Sequence, residues 1–280
     1  MNIQRKPEWL RKKVNPGDQG EMRQLLGELR LNTVCQQALC PNISECFSCG
    51  QATFLILGKN CTRLCSFCNV EQTVPLPVDR DEPVRVAEAV TRLNLSHVVI
   101  TSPTRDDLPD GGAWLYAATV AAIRGSSPAT RVELLIPDFK GAVSSLELVV
   151  MARPDVIGHN VETVPRLYQI RSGADYGRSL EMLRLCAGMA PDIKTKSGIM
   201  LGMGEMEGEV LQVLRDLRDA GCSYLSVGQY LAPSRRHYPV QEYVPPERFE
   251  WLQSAAVAMG FSHVESGPYV RSSYHAGSYV

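Results

Sequence analysis

The 280-residue sequence has neither an excess of charge of one sign nor a long apolar run. Lysine and arginine (29) balance aspartate and glutamate (30), which argues against a basic nucleic-acid-binding surface. The longest nearly apolar stretch, Ala113–Ile123, has about half of the roughly 20 residues that span a bilayer. The basic residues near the N-terminus are not followed by the apolar segment of a secretion signal. We therefore expect a cytoplasmic protein with neither a membrane nor a nucleic-acid partner.

Cysteine is the residue type that the sequence has in excess. Seven of its nine cysteines lie between Cys35 and Cys68. Disulfide frameworks are typical of small secreted domains, whereas clustered thiols in a reducing compartment usually bind metal or act in catalysis. The isolated Cys186 and Cys222 are expected to be buried as small hydrophobic residues.

The spacing of the clustered cysteines allows two interpretations. One joins two C-x2-C motifs into a zinc site with fifteen residues between them. Its ligands would be Cys46, Cys49, Cys65 and Cys68. The other interpretation divides the cysteines into two triplets and leaves only Cys49 unexplained. Those triplets are Cys35, Cys40 and Cys46, in the pattern C-x4-C-x5-C, and Cys61, Cys65 and Cys68, in the pattern C-x3-C-x2-C.

The C-x3-C-x2-C spacing favours a catalytic iron–sulfur cluster. Three thiolates on one short loop can hold three irons of a [4Fe–4S] cube and leave the fourth iron without a protein ligand. An open metal position is the mark of a catalytic site. Radical S-adenosylmethionine enzymes use this motif, and Phe67 supplies the aromatic residue before its last cysteine.

Strand and helix patterns alternate from Thr53 onward, which predicts an α/β fold built on a parallel sheet. Six such units make a partial (β/α)6 TIM-like barrel. The predicted strands are Thr53–Leu57, His97–Thr101, Val132–Ile136, Val156–Gly158, Ile193–Met200 and Tyr224–Gly228. The predicted helices are Val84–Leu93, Ala113–Arg124, Ala142–Met151, Ser179–Met189, Glu205–Ala220 and Arg248–Met259. We expect three regions: a cluster-binding extension (1–52), the barrel (53–260) and a C-terminal tail (261–280).

Polar residues follow several predicted strands at the edge where barrels of this kind carry their chemistry. Thr101 and Ser102 end the second strand, and Asn160 and Glu162 follow the fourth. Glu162 could also be the first-turn acid of a helix that Asn160 caps. Similarity to radical S-adenosylmethionine enzymes implies instead that these four residues contact S-adenosylmethionine.

The sequence resembles the lipoyl synthase family over nearly its whole length. The segments that carry the resemblance are Leu31–Asn42, Cys61–Cys68, Arg105–Gly112, Leu135–Gly141, His159–Thr163, Val227–Leu231 and Arg271–Tyr274. The combination of the two cysteine triplets with the terminal Arg-Ser-Ser-Tyr is far more specific than any single segment.

The resemblance implies two [4Fe–4S] clusters and S-adenosylmethionine as cofactors. Cys61, Cys65 and Cys68 would bind the radical-generating cluster. Cys35, Cys40, Cys46 and the hydroxyl of Ser273, with Ser272 as the alternative, would bind an auxiliary cluster. That cluster would donate two sulfurs to C6 and C8 of an octanoyl-lysine. An oxygen ligand binds iron more weakly than a thiolate does, which suits a cluster that is consumed.

The resemblance also implies the partners. The octanoyl chain would be carried by a lipoyl domain of a 2-oxoacid dehydrogenase or by the glycine-cleavage H protein. A low-potential ferredoxin or flavodoxin would supply electrons, and an iron–sulfur carrier would repair the auxiliary cluster. Arg235, Arg236 and Arg271 could be solvated surface residues, could guide an acidic lipoyl domain or could hold the cluster. The alternatives are another sulfur-inserting radical enzyme similar to biotin synthase, and a non-catalytic zinc module.

Overall fold

The computed structural model describes residues 5–12 and 20–278. Over these residues eight strands form one sheet in the order of the sequence, and every pair is parallel except the first. The strands are β1 (Asn32–Thr33), β2 (Thr53–Leu55), β3 (His97–Thr101), β4 (Arg131–Leu135), β5 (Val156–Gly158), β6 (Lys194–Leu201), β7 (Tyr224–Gln229) and β8 (His263–Gly267).

Six helices follow strands β2 to β7 in turn and build six βα units. The helices are α4 (Glu82–Arg92), α5 (Ala113–Ser126), α6 (Val143–Met151), α7 (Tyr176–Met189), α8 (Glu207–Asp219) and α9 (Pro246–Ala258). Three shorter helices precede them: α1 (Gly20–Glu28), α2 (Val34–Gln37) and α3 (Ile43–Ser48). The sheet ends at β1 and β8 in its strand order, so the predicted open α/β barrel is confirmed. No helix in the described ranges is long and apolar enough to cross a membrane.

The predicted first and last residues of β3 and β5 are those of the structure. The predicted ends of the other elements lie within three residues of the observed ends. They miss β1 and β8. Strand β1 has only two residues, and β8 has the sequence His-Val-Glu-Ser-Gly, in which polar residues obscure any apolar strand pattern. Because β8 lies in the range 261–280, the sheet extends beyond residue 260, and the tail proper begins after Gly267.

Two apolar clusters fill the space between the sheet and its helices. One packs β2 to β5 against α4 to α6 and contains Phe54, Ile100 and Tyr116. The other packs β6 to β8 against α8 and α9. Cys186 belongs to the first and Cys222 to the second, and both are buried. The expectation that these two cysteines are small core residues is confirmed.

Hydrogen bonds to two side chains hold the backbone of Leu57, just after β2. Leu57 is buried and has a φ of +66°, a left-handed conformation that leucine rarely adopts. Its N–H donates to Glu82 Oε2 at 2.7 Å, and its carbonyl accepts from Arg105 Nη1 at 3.0 Å. Burial raises the pKa of Glu82 to about 7, although the Leu57 N–H opposes this. These contacts fix the direction in which the next segment, Gly58–Cys68, starts.

We predict that Gly112→Ala destabilises the protein. Gly112 has a φ of +88°, and a Cβ there would lie 2.3 Å from Leu57 Cδ1. The strained backbone and the crowded core should together lower the free energy of unfolding by about 1–3 kcal/mol. Denaturant unfolding should show this loss. The control is Gly125→Ala in α5, where nothing lies within 4 Å of the new Cβ, so stability should stay level or rise. Equal stabilities of the two variants would contradict the role of Gly112.

Candidate active site

A cavity of about 960 Å³ runs through the open side of the barrel. Its wall comes from five parts of the chain: the segment before β2, the loop after β2, the ends of β5 to β7, the turn before β3 and the C-terminal tail. Residues more than two hundred positions apart in the sequence therefore line the same cavity. Such a volume accommodates a cofactor-sized ligand.

The first cysteine triplet lies on short helices along this cavity. Cys35 is in α2, Cys46 is in α3 and Cys40 lies between them, with its N–H bound to the Cys35 carbonyl at 3.0 Å. Thr33 caps α2 through its hydroxyl, which accepts from the N–H of Gln36 at 3.3 Å. Burial raises the pKa of Cys46 to about 12, and the nearby thiols Cys35 and Cys40 add to this. The three thiols thus act on one another electrostatically. Burial disfavours the thiolate of Cys46 unless a cation is bound nearby.

The second triplet lies on the loop after β2. Burial raises the pKa of Cys65 to about 11 and that of Cys68 to about 12, and Cys61 contributes to both shifts. Phe67 and Cys68 face the cavity. Within each predicted triplet the thiols act on one another electrostatically.

The four-cysteine zinc site has no counterpart in residues 5–12 and 20–278. In those ranges no three cysteine, histidine, aspartate or glutamate side chains are close enough to share one metal ion. Three thiolates that each bind a different iron of a cube are farther apart than thiolates that share one zinc ion. Cys49, which the zinc interpretation requires, is exposed.

Hydrogen bonds to neighbouring loops hold the second triplet's loop in place. Thr62 N–H donates to Thr104 O at 3.0 Å, and Ser66 N–H donates to Ile170 O at 2.9 Å. Ser66 O in turn accepts from the N–H of Tyr238 at 2.8 Å. These partners follow β3, β5 and β7, so the loop is fixed by the carboxyl edge of the sheet.

The C-terminal tail is bound to the first triplet's segment. Asn42 Nδ2 donates to Tyr269 O at 2.7 Å, and Tyr274 Oη donates to Glu45 Oε1 at 3.1 Å. Lys12 forms an ion pair with Glu45 and donates to Asn42 Oδ1 at 2.9 Å. The tail and the cysteine segment, at opposite ends of the sequence, are therefore held side by side.

The two serines of the tail have different surroundings. Ser272 Oγ accepts from Asn160 Nδ2 at 2.6 Å. Within the described part of the chain the hydroxyl of Ser273 has no such partner, and both serines line the cavity together with the first triplet. The tail can pack closely against β7 because residue 228 is a glycine: a Cβ on Gly228 would lie 2.1 Å from Val270 O.

Asn160 and Glu162 face the cavity as predicted. Asn160 Nδ2 also donates to Glu162 Oε1 at 3.1 Å. Burial raises the pKa of Glu162, and the positive charge of Arg171 opposes this. Arg171 also favours the thiolate of Cys65. Sequence reasoning missed Arg171, because nothing in its local pattern indicates that it approaches a cysteine about a hundred residues away.

Thr101 and Ser102 are placed differently. Neither is among the residues that line the cavity. Thr101 Oγ1 donates to Leu135 O at 2.9 Å, and Ser102 Oγ donates to Pro103 O at 2.8 Å while accepting from Tyr116 Oη at 2.9 Å. Both hydroxyls are thus engaged by the protein itself. The structure brings Asn160 and Glu162 into the cavity but leaves these two residues outside it.

Arg235, Arg236 and Arg271 differ in their exposure. Arg235 and Arg236 are exposed on the segment after β7. Arg271 is partly buried beside Cys40: burial lowers its pKa, and the charge of Cys40 opposes this. Arg271 is therefore placed toward the first triplet rather than on an open surface.

Comparisons with known proteins identify the family. A model of the Radical SAM superfamily matches residues 55–229. Lipoyl synthase of Geobacter metallireducens is 68% identical over 279 residues, which cover 100% of this chain and 99% of that protein. The chain belongs to the lipoyl synthase family. Lipoyl synthase of Trichlorobacter lovleyi is also 68% identical, over the full length of both chains, and that of Alkaliphilus metalliredigens is 52% identical over 99% of this chain and 96% of that one.

Solved structures show the same fold at low identity. Methylornithine synthase (PylB) aligns with a TM-score of 0.56 and 13% identity, over 88% of this chain and 81% of that one. Streptococcus suis SuiB bound to S-adenosylmethionine aligns with a TM-score of 0.60 and 9% identity, over 80% of this chain and 53% of that one. A lipoyl synthase is a sulfur-inserting radical S-adenosylmethionine enzyme whose cofactors are [4Fe–4S] clusters and S-adenosylmethionine.

The donor sets of this lipoyl synthase fit those clusters. Each triplet supplies soft sulfur ligands, which iron–sulfur clusters prefer. Burial disfavours the thiolates of Cys35, Cys46, Cys65 and Cys68, and iron would supply the positive charge that compensates for it. Each triplet also has one ligand fewer than a cube requires, and Ser272 and Ser273 line the cavity with the first set.

We predict that protein purified without oxygen contains about eight irons and eight sulfides per chain, two cubes of four each. Iron, zinc and sulfide analysis of the desalted protein measures this directly. The Cys35→Ala variant should retain about half of the iron. A colourless protein with one zinc would contradict the two-cluster interpretation.

A second prediction separates the two serines. We expect Ser273→Ala to release iron to a chelator several-fold faster than the wild type, because one auxiliary iron would lose its protein ligand. Ser272→Ala is the matched control: it removes the contact with Asn160 and should leave the release rate unchanged. Iron release is followed by the absorbance of the chelate. Equal rates in the two variants would exclude Ser273 as the ligand.

Proposed function

We propose that the chain converts a protein-bound octanoyl-lysine into lipoyl-lysine by inserting sulfur at C6 and C8. The observation that carries this proposal is the single cavity, which is shared by Ser273, the whole first triplet and Cys68 of the second. An enzyme that makes a radical at one centre and takes sulfur from another needs both centres to face the same substrate chain.

The proposal assigns the site residues as follows. Cys61, Cys65 and Cys68 hold the radical-generating cluster. The auxiliary cluster is held by the other set, Cys35, Cys40, Cys46 and Ser273. Asn160 and Glu162 are placed to contact S-adenosylmethionine from the end of β5, since they lie beside the second triplet's charges.

Unactivated C–H bonds explain why such cofactors are required. A methylene group has neither an acidic proton nor a leaving group, so acid–base or nucleophilic side chains cannot act on it. The bound cofactors supply a 5′-deoxyadenosyl radical and the sulfur atoms, which is chemistry that amino-acid side chains cannot perform.

The protein's own contribution is positioning. The backbone contacts of Thr62 and Ser66 hold the second triplet against the carboxyl edge of the sheet. The contacts of Asn42 and Glu45 with the tail hold Ser273 beside the first triplet. Asn160 connects the two sides, because its amide donates both to Glu162 and to Ser272.

The proposed partners follow from this chemistry. The octanoyl-lysine is presented by a lipoyl domain of a 2-oxoacid dehydrogenase or by the glycine-cleavage H protein. The exposed Arg235 and Arg236 offer positive charge to an acidic carrier domain. A low-potential ferredoxin or flavodoxin supplies electrons, an iron–sulfur carrier rebuilds the auxiliary cluster, and the reaction takes place in the cytoplasm.

The test uses an octanoyl-lysine peptide, S-adenosylmethionine and a low-potential reductant under anaerobic conditions. The wild type should produce 5′-deoxyadenosine and add two sulfurs to the peptide. Cys35→Ala should still cleave S-adenosylmethionine but should add no sulfur, because the radical centre remains and the sulfur source is lost. Cys65→Ala should lose both activities. Mass spectrometry measures both products.

The control is Cys186→Ala, which changes a buried thiol outside the cavity and should keep both activities. Cleavage of S-adenosylmethionine by the wild type without added sulfur would favour a different radical enzyme, for example one similar to biotin synthase. Equal loss of both activities in a folded Cys35→Ala protein would contradict the separate roles of the two triplets.

A further inference from the structure

A buried arginine lies between two cysteines of the second triplet and binds two carboxylates. Arg63 Nε and Nη2 donate to Asp106 at 2.8 and 3.1 Å, and Nη1 and Nη2 donate to Asp138 at 3.1 and 2.6 Å. The side chain of Arg63 is 6% exposed and that of Asp138 is fully buried. Asp106 follows β3 and Asp138 follows β4, so the arginine joins the cluster loop to two strand ends.

A second arginine, Arg178, binds one of the two aspartates that Arg63 binds, so positive and negative charges are equal in number among these four side chains. Asp138 also accepts from Arg178 Nε at 2.8 Å and from the N–H of Lys140 at 3.1 Å. Burial alone would raise the pKa of Asp138, but the hydrogen bonds and charge of Arg63 lower it well below its usual range. Two guanidinium groups therefore face two carboxylates.

Two other titratable groups lie beside these four. Lys140 Nζ is exposed and donates to the backbone carbonyl of Asp106 at 3.2 Å. Burial lowers the pKa of His159 to about 4, so this buried ring is neutral at pH 7. The charged groups that hydrogen bonds join into one set are thus Arg63, Arg178, Asp106 and Asp138.

Arg63 acts on the neighbouring sulfur atoms in two ways. Its backbone N–H donates to Cys61 Sγ at 3.4 Å. Burial raises the pKa of Cys65; the charge of Arg171 and, to a smaller extent, that of Arg63 lower it, whereas Cys61 and Glu162 raise it further. The backbone here is held independently, because Thr62 binds Thr104 O through both its N–H and its hydroxyl. A change of charge at Asp106 or Asp138 can thus alter the electrostatics without moving the N–H.

We propose that Asp106 and Asp138 are positioning residues that neutralise Arg63 and so keep the reduction potential of the adjacent cluster low. Reduction adds one negative charge to a cluster, and an uncompensated positive charge nearby would favour it. The effect is strong in a buried setting because the effective dielectric constant is low. This inference rests on the proposed binding of the radical cluster by Cys61, Cys65 and Cys68.

The test is a potentiometric titration followed by electron paramagnetic resonance, in the Cys35→Ala background, where only the second triplet's cluster should remain. Asp138→Asn and Asp106→Asn should each move the potential to a more positive value. Adding Arg63→Gln to Asp138→Asn should return it toward the starting value, because the opposite charge is also removed. A purely structural role would not produce this return.

The matched control is Asp107→Asn. Asp107 forms a similar two-hydrogen-bond pair with Arg105 in the same loop, at 2.8 Å for both contacts, and does not bind Arg63. In the Asp107→Asn variant the reduction potential of the cluster should stay at the starting value. If Asp138→Asn does not fold, Asp106→Asn supports the same test, because the Asp106 side chain is 20% exposed and its loss is less damaging.

Two results would overturn the proposal in distinguishable ways. Potentials of Asp138→Asn and Asp106→Asn that coincide with that of Asp107→Asn would show that the carboxylates do not control the cluster, and the assignment of the cluster itself would stand. A Cys35→Ala protein that folds but contains no iron–sulfur cluster would overturn that assignment, and the role of the two aspartates with it.

Discussion

The active site depends on the attachment of the tail to the cysteine segment. Asn42 and Glu45 each hold one residue of the tail, Tyr269 and Tyr274, through a hydrogen bond across more than two hundred positions of sequence. Each such bond contributes only about 1 kcal/mol net. Together with Lys12, which binds both Asn42 and Glu45, they hold the tail against the segment that carries the first triplet. The tail and this segment both line the cavity.

The barrel provides the second constraint. In a parallel sheet all carboxyl ends lie on one edge, so the loops after β2, β3, β5 and β7 meet. The loop with the second triplet uses this proximity, since its backbone is bonded to Thr104, Ile170 and Tyr238. Three thiols on a free loop would repel one another as thiolates. The surrounding strand ends fix their positions in advance, which reduces the ordering cost of binding a cluster.

The two triplets occupy different kinds of structure. The first is on short helices outside the barrel and beside the tail, whereas the backbone of the second is hydrogen-bonded to the loops after β3, β5 and β7. A centre that gives up sulfur must lose ligands and be rebuilt, and its segment is held to the barrel by the pairing of β1 with β2 and by the apolar packing of Phe47. A centre that generates radicals repeatedly needs a constant geometry. The difference in anchoring fits the proposed division of work between the triplets.

The sequence by itself determined the alternating βα architecture and the buried state of Cys186 and Cys222, and its cysteine spacings predict the two triplets. These features are local, because they depend on apolar periodicity and on ligand spacing within a short window. It did not reveal β8, whose polar residues hide the strand pattern, and it placed Thr101 and Ser102 with Asn160 and Glu162 at one site. Only the tertiary structure decided that the hydroxyls of Thr101 and Ser102 bind the protein itself, that Arg171 approaches Cys65, and that Ser272 binds Asn160. These contacts join distant positions, and sequence spacing carries no information about which distant side chains become neighbours once the sheet closes and the tail is attached.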